Sequence, residues 1–287
     1  MAKDGRKDEL SGAKTTGHEW DGIEELNIPA PRWWLITWLV SIIFSLGYMY
    51  FYPTWPSPDG NTKGSLEWTS VKQMEESMQE IVAKKAKYID QLAKAKTLEE
   101  IRDNEELYEF AIAGGKSAFA LNCSTCHGSG AAGAKGYPNL NDDDWLWGGS
   151  MTEIKDSISY GIRSEHDDTR ISEMPAFGKD ELLTPQEISK VADFVVSLST
   201  GEGYSDQGKE IFAENCASCH GEKGKGDRDF GAPNLTDPIW LYGSDKKDII
   251  ETISFSRKGV MPTWMGKLDD ITIKQLTLYV HSLGGGE

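Results

Sequence analysis

The feature that most constrains this chain is a short cysteine motif that occurs twice. Its copies hold all four cysteines of the 287 residues: Cys123-Ser-Thr-Cys126-His127 and Cys216-Ala-Ser-Cys219-His220. Two thiols three residues apart, with a histidine directly behind them, are typical of c-type haem attachment, in which each thiol bonds one vinyl group of the same porphyrin. The adjacent imidazole becomes the proximal ligand of the iron. The sequence therefore predicts two covalently bound haem c groups.

Other kinds of site also use paired cysteines, and each would leave a different pattern. A zinc finger needs a second pair of ligands at a recurring spacing. A thioredoxin-like pair lies in a strand–helix–strand pattern and needs no histidine. Here the flanks of the two motifs also match, because residues 115–128 and 208–221 are identical at nine of fourteen positions with an offset of 93. Haem attachment in a duplicated domain explains both observations.

The repeat continues beyond the cysteines. Pro138-Asn139-Leu140, followed by Trp145, is echoed by Pro233-Asn234-Leu235 and Trp240 at an offset of 95. Two copies are too few for a solenoid. We therefore predict two tandem class I cytochrome c domains at 107–200 and 201–287. Domains of this size have marginal cores, so we expect each haem to form part of the core of its domain.

Charge limits the partners of the chain. The net charge of −16 argues against nucleic acid, which requires a basic surface. Seven net negative charges lie in the first haem domain, residues 107–200. This acidity indicates either an ordinary soluble surface or a docking face for a basic partner.

The N-terminal part predicts a membrane anchor. Residues 1–32 are polar and are predicted to be a flexible cytoplasmic tail, in which His18 is solvated. Residues 33–52 run without a charge and would span roughly 30 Å as a helix, the hydrocarbon thickness of a bilayer. The run is longer than the apolar core of a signal peptide and lacks a small-residue cleavage site, so we expect it to be retained.

Flanking charges give the direction of this predicted transmembrane helix. Five cations precede it, whereas only Lys63 lies in the first fifteen residues after it; the five are Lys3, Arg6, Lys7, Lys14 and Arg32. This bias places the N-terminus in the cytoplasm and the haem domains on the far side. Residues 53–106 are predicted to form a linker and two helices, the first ending near Ala95 and the second capped by Thr97.

Each haem domain is predicted to be all-α, and each has a Met-Pro pair in the loop before its closing helix. Met174 and Met261 lie 47 and 41 residues after their histidines and are the predicted second axial ligands. Met265 is the alternative to Met261 as an axial ligand. His166 and His281 are predicted to be structural residues, because neither has a counterpart in the other repeat.

Pairing of each methionine with the iron of its own repeat is the simplest arrangement. An exchange between the repeats stays open, because the loop before Met174 has eight extra residues.

Two kinds of contact beyond the axial ligands are predicted from the comparison of the two repeats. The loops at Pro138 and Pro233 are expected to bring a backbone carbonyl to the Nδ1–H of each proximal histidine. Arg163 aligns with Lys258, and each is either a partner of a haem propionate or a solvated charge.

With these features in order, the chain resembles the dihaem subunit family (CcoP, also called FixP) of cbb3-type cytochrome c oxidases. The most specific stretch runs from Gly161-Ile-Arg163 through His166 to Met174-Pro-Ala-Phe-Gly178. The resemblance covers nearly the whole chain. Some members of the family have a second N-terminal transmembrane helix, whereas a single transmembrane helix is predicted in this sequence.

The resemblance implies an electron-transfer subunit without a catalytic site, in a bacterial inner membrane with periplasmic haem domains. Its implied partners are the catalytic and monohaem oxidase subunits, a soluble or membrane c-type cytochrome donor, and membrane lipid. The residues alone leave two other readings open, a membrane-tethered electron shuttle and the cytochrome subunit of a dehydrogenase. A dihaem peroxidase would need an open distal position, and the two matched Met-Pro loops argue against one.

Overall fold

The computed structural model describes residues 5–58 and 60–284. Lys3 of the predicted tail, Asp59 of the predicted linker and the last three residues of the second predicted domain lie outside these ranges. The chain divides into two compact units, Met1–Lys84 and Lys85–Glu287. Helices make up most of the regular structure, which confirms the predicted helical fold class.

The first unit contains two small hairpins and one long apolar helix. Its elements are β1 (Thr15–Trp20), β2 (Ile23–Leu26), α1 (Arg32–Phe51), β3 (Pro56–Ser57) and β4 (Gly60–Asn61), and helix α2 (Ser70–Lys94) begins in it.

The hairpin of β1 and β2 corrects the prediction of a flexible tail. The strands are antiparallel, and Trp20 pairs with Ile23 beside the turn. Asp21 and Gly22 form that turn with φ values of 50° and 79°. Asp-Gly is favoured where both central residues of a hairpin turn need positive φ, and this signal was missed in the sequence. His18 lies on β1, with its ring 5.6 Å from that of Trp20.

Helix α1 forms where the transmembrane span is predicted. It is long and apolar enough to cross a membrane, and none of its residues is buried within the protein. An exposed apolar surface of this kind is stable in lipid rather than in water. The short strands β3 and β4 follow it, within the predicted linker.

The second unit contains the rest of the helices. They are α3 (Leu98–Arg102), α4 (Glu105–Asn122), α5 (Ser124–His127), α6 (Met151–Tyr160), α7 (Pro185–Thr200), α8 (Asp206–Asn215), α9 (Ala217–His220), α10 (Lys246–Phe255) and α11 (Asp270–His281).

The C-terminal end of α2 is fixed to α11 by a buried lysine. Leu92 is fully buried in a cluster with residues of α3, α4 and α11. The ammonium group of Lys274 donates to the carbonyl oxygens of Leu92 and Ala95, at 3.1 and 3.2 Å, and forms an ion pair with Asp270. A buried ammonium group is tolerated when it is paired in this way, and here it satisfies carbonyls left open at the end of α2.

The closing helices are exchanged between the two sequence repeats. Helix α11, which ends the second repeat, packs on α4 and α6 of the first, whereas α7, which ends the first, packs on α8 and α10 of the second. We call α4, α5, α6 and α11 lobe A, and α7, α8, α9 and α10 lobe B. Lobe B is therefore continuous in sequence and is inserted between the two parts of lobe A.

Equivalent contacts occur at the two helix crossings. A Cβ atom on Gly115 of α4 would collide with the backbone of Gln275 and the side chain of Tyr279 on α11. The same atom on Gly208 of α8 would collide with the backbone of Lys190 on α7. Glycine is required at both crossings because the helix backbones approach so closely.

An aromatic pair lies at each crossing. The rings of Phe119 and Tyr279 are 5.5 Å apart at 59°, and those of Phe212 and Phe194 are 5.3 Å apart at 57°. Both geometries lie in the favourable range for aromatic pairs.

This arrangement differs from the simplest expectation, in which each closing helix packs within its own repeat. The chain crosses from lobe A to lobe B between α6 and α7, over residues 161–184, and crosses back between α10 and α11, over residues 256–269. We call these stretches the two crossing segments, and they pair with each other. Ile162 and Met261 exchange two backbone hydrogen bonds of 3.0 Å in an antiparallel bridge. The exchange thus satisfies backbone groups of the crossing segments.

We predict that stability measurements will detect the exchange. Phe119→Leu and Tyr279→Leu should show a coupling energy of about 0.5–1.5 kcal/mol in urea unfolding of the haem-loaded chain, because their rings touch. The matched pair Phe119→Leu and Phe194→Leu, whose rings would meet without the exchange, should be additive within about 0.5 kcal/mol. Coupling in the second pair and additivity in the first would contradict the exchanged arrangement.

Candidate haem sites

Both cysteine motifs form a single helical turn at the end of a longer helix. In α5 the N–H groups of Cys126 and His127 donate to the carbonyl of Cys123, and Gly128 ends the turn with a φ of 79°. Positions three apart on a helix lie on the same side, so the turn presents both thiols of a motif to one ligand. Helix α9 repeats these hydrogen bonds from Cys219 and His220 to Cys216, with Gly221 at a φ of 76°.

Each proximal histidine is oriented by a backbone carbonyl. The Nδ1 atom of His127 lies 3.0 Å from the oxygen of Pro138, and that of His220 lies 3.1 Å from the oxygen of Pro233. This bond fixes the tautomer in which Nδ1 carries the proton and Nε2 has a free lone pair. The predicted contacts of the two proline loops are therefore confirmed.

The first thiol and the imidazole of each motif have perturbed pKa values. Burial, followed by repulsion from the second cysteine of the motif, raises the pKa values of the Cys123 and Cys216 thiols to about 11. A redox-active pair instead has a lowered thiol pKa, so these environments do not fit a thioredoxin-like site. Burial also lowers the pKa values of His127 and His220, which keeps both imidazoles neutral, as an iron ligand must be.

The predicted methionines pack against the cores that hold the opposite motifs. Met261 lies against the core of lobe A, in the same cluster as Cys123. Met174 lies against the core of lobe B, in the same cluster as Cys216. The structure thus places each methionine in the core that holds the other repeat's cysteine motif, and not in the core that holds the motif of its own repeat. The rival Met265 has 45% of its surface exposed.

The remaining predicted residues have other contacts. The Nδ1 atom of His166 accepts a hydrogen bond from the N–H of Asp168, and its ring packs against Tyr160. The guanidinium group of Arg163 donates to backbone carbonyls, and Lys258 forms an ion pair with Glu173.

Trp145 is a site residue to which the sequence analysis gave no role. Its side chain packs in the lobe A cluster with Cys123 and Met261, and its Nε1–H is buried without a hydrogen-bond partner in the protein. The equivalent Trp240 donates to the carbonyl oxygen of Asp237 at 3.1 Å. A buried donor without an acceptor beside a haem motif fits a group that carries carboxylates, as haem c does through its propionates.

Four aspartates, together with Lys225 and Arg228, help to line a cavity between the lobes. The cavity has a volume of about 460 Å³, and residues 143–146 of lobe A and 225–228 of lobe B contribute to its wall. Burial, with repulsion from Asp237 and Asp142, raises the pKa of Asp144 to about 6. The haem lobes therefore meet around carboxyl groups that ionise at the cost of stability.

Comparisons with known proteins agree with this geometry. A family described as the N-terminal domain of cytochrome oxidase-cbb3, FixP, matches residues 12–59. A second, described as cytochrome c oxidase, cbb3-type, subunit III, matches twice, at residues 110–195 and 205–280.

Individual relatives match along the whole chain. A cbb3-type cytochrome c oxidase subunit FixP of Bradyrhizobium sp. is 50% identical and covers 100% of both chains. The FixP subunit of Rhizobium meliloti is 49% identical over 98% of this chain and 97% of its own length. A CcoP subunit of Azospirillum sp. is 47% identical over 98% of each. The resemblance inferred from the sequence is confirmed.

We predict that Asp144 makes stability depend on pH. Its folded-state pKa lies above the ordinary value of 3.8, so its contribution is fully present below about pH 4 and is lost as pH rises through about 6. Asp144→Asn should therefore raise the free energy of unfolding at pH 7 by about 1 kcal/mol, allowing for solvent screening, and leave it unchanged near pH 4. The exposed neighbour Asp143→Asn is the control, with an expected effect below about 0.5 kcal/mol. Equal effects of Asp144→Asn at both pH values would contradict the assignment.

Proposed function

Because the chain belongs to the FixP/CcoP family of cbb3-type cytochrome c oxidase subunits, we propose that each of its two haem motifs holds one covalent haem c. The proposed role of the pair is to pass electrons from a c-type cytochrome donor towards the oxidase. The observation that carries the proposal is the duplicated arrangement of two thiols and an oriented imidazole on one helical turn. As a member of this family, the chain is a non-catalytic electron-transfer subunit that contains cytochrome c domains with covalent haem c.

The proposed axial ligands are His127 and Met261 in lobe A, and His220 and Met174 in lobe B. The thioether bonds come from Cys123 and Cys126 in lobe A, and from Cys216 and Cys219 in lobe B. The crossed packing of the two methionines supports this pairing. When bound, haem c supplies a one-electron couple, whose potential a methionine ligand raises.

The chain's own residues prepare this site in three ways. The carbonyls of Pro138 and Pro233 hold the imidazoles with Nε2 available. The buried clusters of both lobes place apolar side chains around each motif and limit the access of water. Trp145 offers a donor for a propionate of the lobe A haem. Fixed ligands lower the reorganisation that accompanies a change of charge at the iron.

Helix α1 gives the subunit a single-pass membrane anchor. We propose that its N-terminal side faces the cytoplasm and that both lobes lie in the periplasm, with the bacterial inner membrane lipid around α1. The excess of lysine and arginine before α1 supports this direction. As an oxidase subunit the chain has other oxidase subunits as partners, and we propose that these include the catalytic and monohaem subunits.

We predict that Met174→His will change the haem of lobe B. In a variant in which Cys123 and Cys126 are replaced by serine, only the haem on Cys216 and Cys219 is attached. There Met174→His should abolish the methionine-to-iron charge-transfer band and lower the potential, because imidazole stabilises ferric iron more than a thioether does. The matched control Met261→His should leave that haem unchanged. The reverse result would support ligation within each repeat, and no response to either change would refute the ligand set.

A second prediction concerns the donor. If the acidic surface of residues 107–200 receives a basic cytochrome, oxidation of that donor by the purified oxidase should slow steeply as ionic strength rises past about 0.1 M, where the screening length falls to about 10 Å. An acidic donor cytochrome serves as the control, since its rate should not fall with salt. A rate with the basic donor that does not depend on salt would contradict electrostatic docking.

A further inference from the structure

The two segments that cross between the lobes have the same plan. Each contains an arginine that lies over an aromatic ring of the lobe it leaves and, four residues later, a methionine in the lobe it enters. Arg170 lies 5.3 Å from the ring of Trp147, four residues before Met174. Arg257 lies 5.0 Å from the ring of Tyr242, four residues before Met261.

One side chain joins both segments. The Nε–H of Arg163 donates to the carbonyl of Gly259 at 2.8 Å, and its Nη1–H donates to the carbonyl of Ser172 at 2.9 Å. Each acceptor lies two residues before a methionine, Met261 in one case and Met174 in the other. A single guanidinium group thus contacts equivalent positions of both crossing segments.

The backbone around Arg163 adds to this connection. Its N–H donates to the carbonyl of Arg170 at 2.8 Å, and the preceding Ile162 pairs with Met261. The residue itself has a φ of 52°, which is uncommon for a side chain other than glycine and indicates that its surroundings hold it in place.

Other side chains also join the segments. The hydroxyl of Ser256 donates to the carbonyl of Met174 and so reaches only one of the two methionines. The ion pair between the segments is weaker. Lys258 and Glu173 form an ion pair across them, but about half of each side chain is exposed, and exposed pairs contribute little. Arg163 is partly buried, so its loss would leave two carbonyl groups without their donor in a partly dry region. The planar guanidinium group also fixes the distance between its two acceptors, which an ammonium group would not.

We propose that Arg163 is a positioning residue that holds both axial methionines at once, and so makes the ligation of the two haems interdependent. The proposal rests on the ligand set given under the proposed function. It differs from a partnership with one haem propionate, because a propionate partner would act through charge on a single haem. It also goes beyond packing of the lobes, since the contacts of Arg163 lie in the segments that carry the methionines.

The test compares three variants of the full chain, loaded with haem in detergent: Arg163→Gln, Arg163→Lys and Lys258→Gln. The readouts are the methionine-to-iron charge-transfer band of each oxidised haem and the binding of carbon monoxide to each reduced haem, which requires the methionine to leave. Arg163→Gln should raise the carbon monoxide-reactive fraction about three- to tenfold at both haems, the change expected from the loss of about one net hydrogen bond. Arg163→Lys keeps the positive charge but loses the planar guanidinium group with its two spaced donors. It should therefore raise the carbon monoxide-reactive fraction at both haems by a smaller factor.

Lys258→Gln is the matched control, because it removes a cation that joins the same two segments at an exposed position. It should behave as the unchanged protein does. An effect of Arg163→Gln on one haem only, no effect on either, or an equal effect of Lys258→Gln would overturn the proposal. If Arg163→Gln fails to fold, Arg163→Lys decides by the same criteria. Absence of the charge-transfer band from a haem of the unchanged protein would instead refute the proposed ligand set, and with it the basis of this inference.

Discussion

The packing of α4 on α11, and of α8 on α7, is the interaction on which the second unit depends. At each crossing a glycine allows the helix backbones to touch, and an aromatic pair closes one side. Helix α11 is largely buried, with Leu276, Thr277 and Leu278 inaccessible to solvent, although it lies more than 140 residues beyond Cys126 in sequence. Each lobe therefore takes its core from both repeats.

The small size of the lobes gives the haem a structural role as well as a redox one. A unit with so few residues buries a limited apolar area, and the first cysteine of each motif packs against the core. In lobe A that lining includes Cys123, Trp145 and Met261. A large, flat apolar group attached through two thioether bonds would complete such a core and could not be lost by dissociation.

Much of the fold was predictable because its signals are local. The middle helix α6 is preceded by Ser150, whose side chain forms a capping box with Glu153, and is followed by Gly161. The exchange of closing helices leaves no such signal, because the two repeats have equivalent residues at the helix crossings. Gly115 meets Tyr279 in the structure, and the corresponding Phe194 would offer it a similar surface. What distinguishes the two arrangements is the pairing of the crossing segments, which depends on residues far apart in sequence.

The two proposed haem sites have the same proposed ligand types, but the structure does not give them the same surroundings. Sequence repetition predicts equal roles for Trp145 and Trp240, yet only Trp240 finds a protein acceptor, the carbonyl of Asp237. Asp144 adds a carboxyl group with a raised pKa on the side of lobe A. With the same axial ligands proposed for both sites, a difference in potential would come from hydrogen bonds and charges around the macrocycle. A relay needs such a difference to give electrons a direction, so the places where the repeats diverge matter as much to function as the motifs that they share.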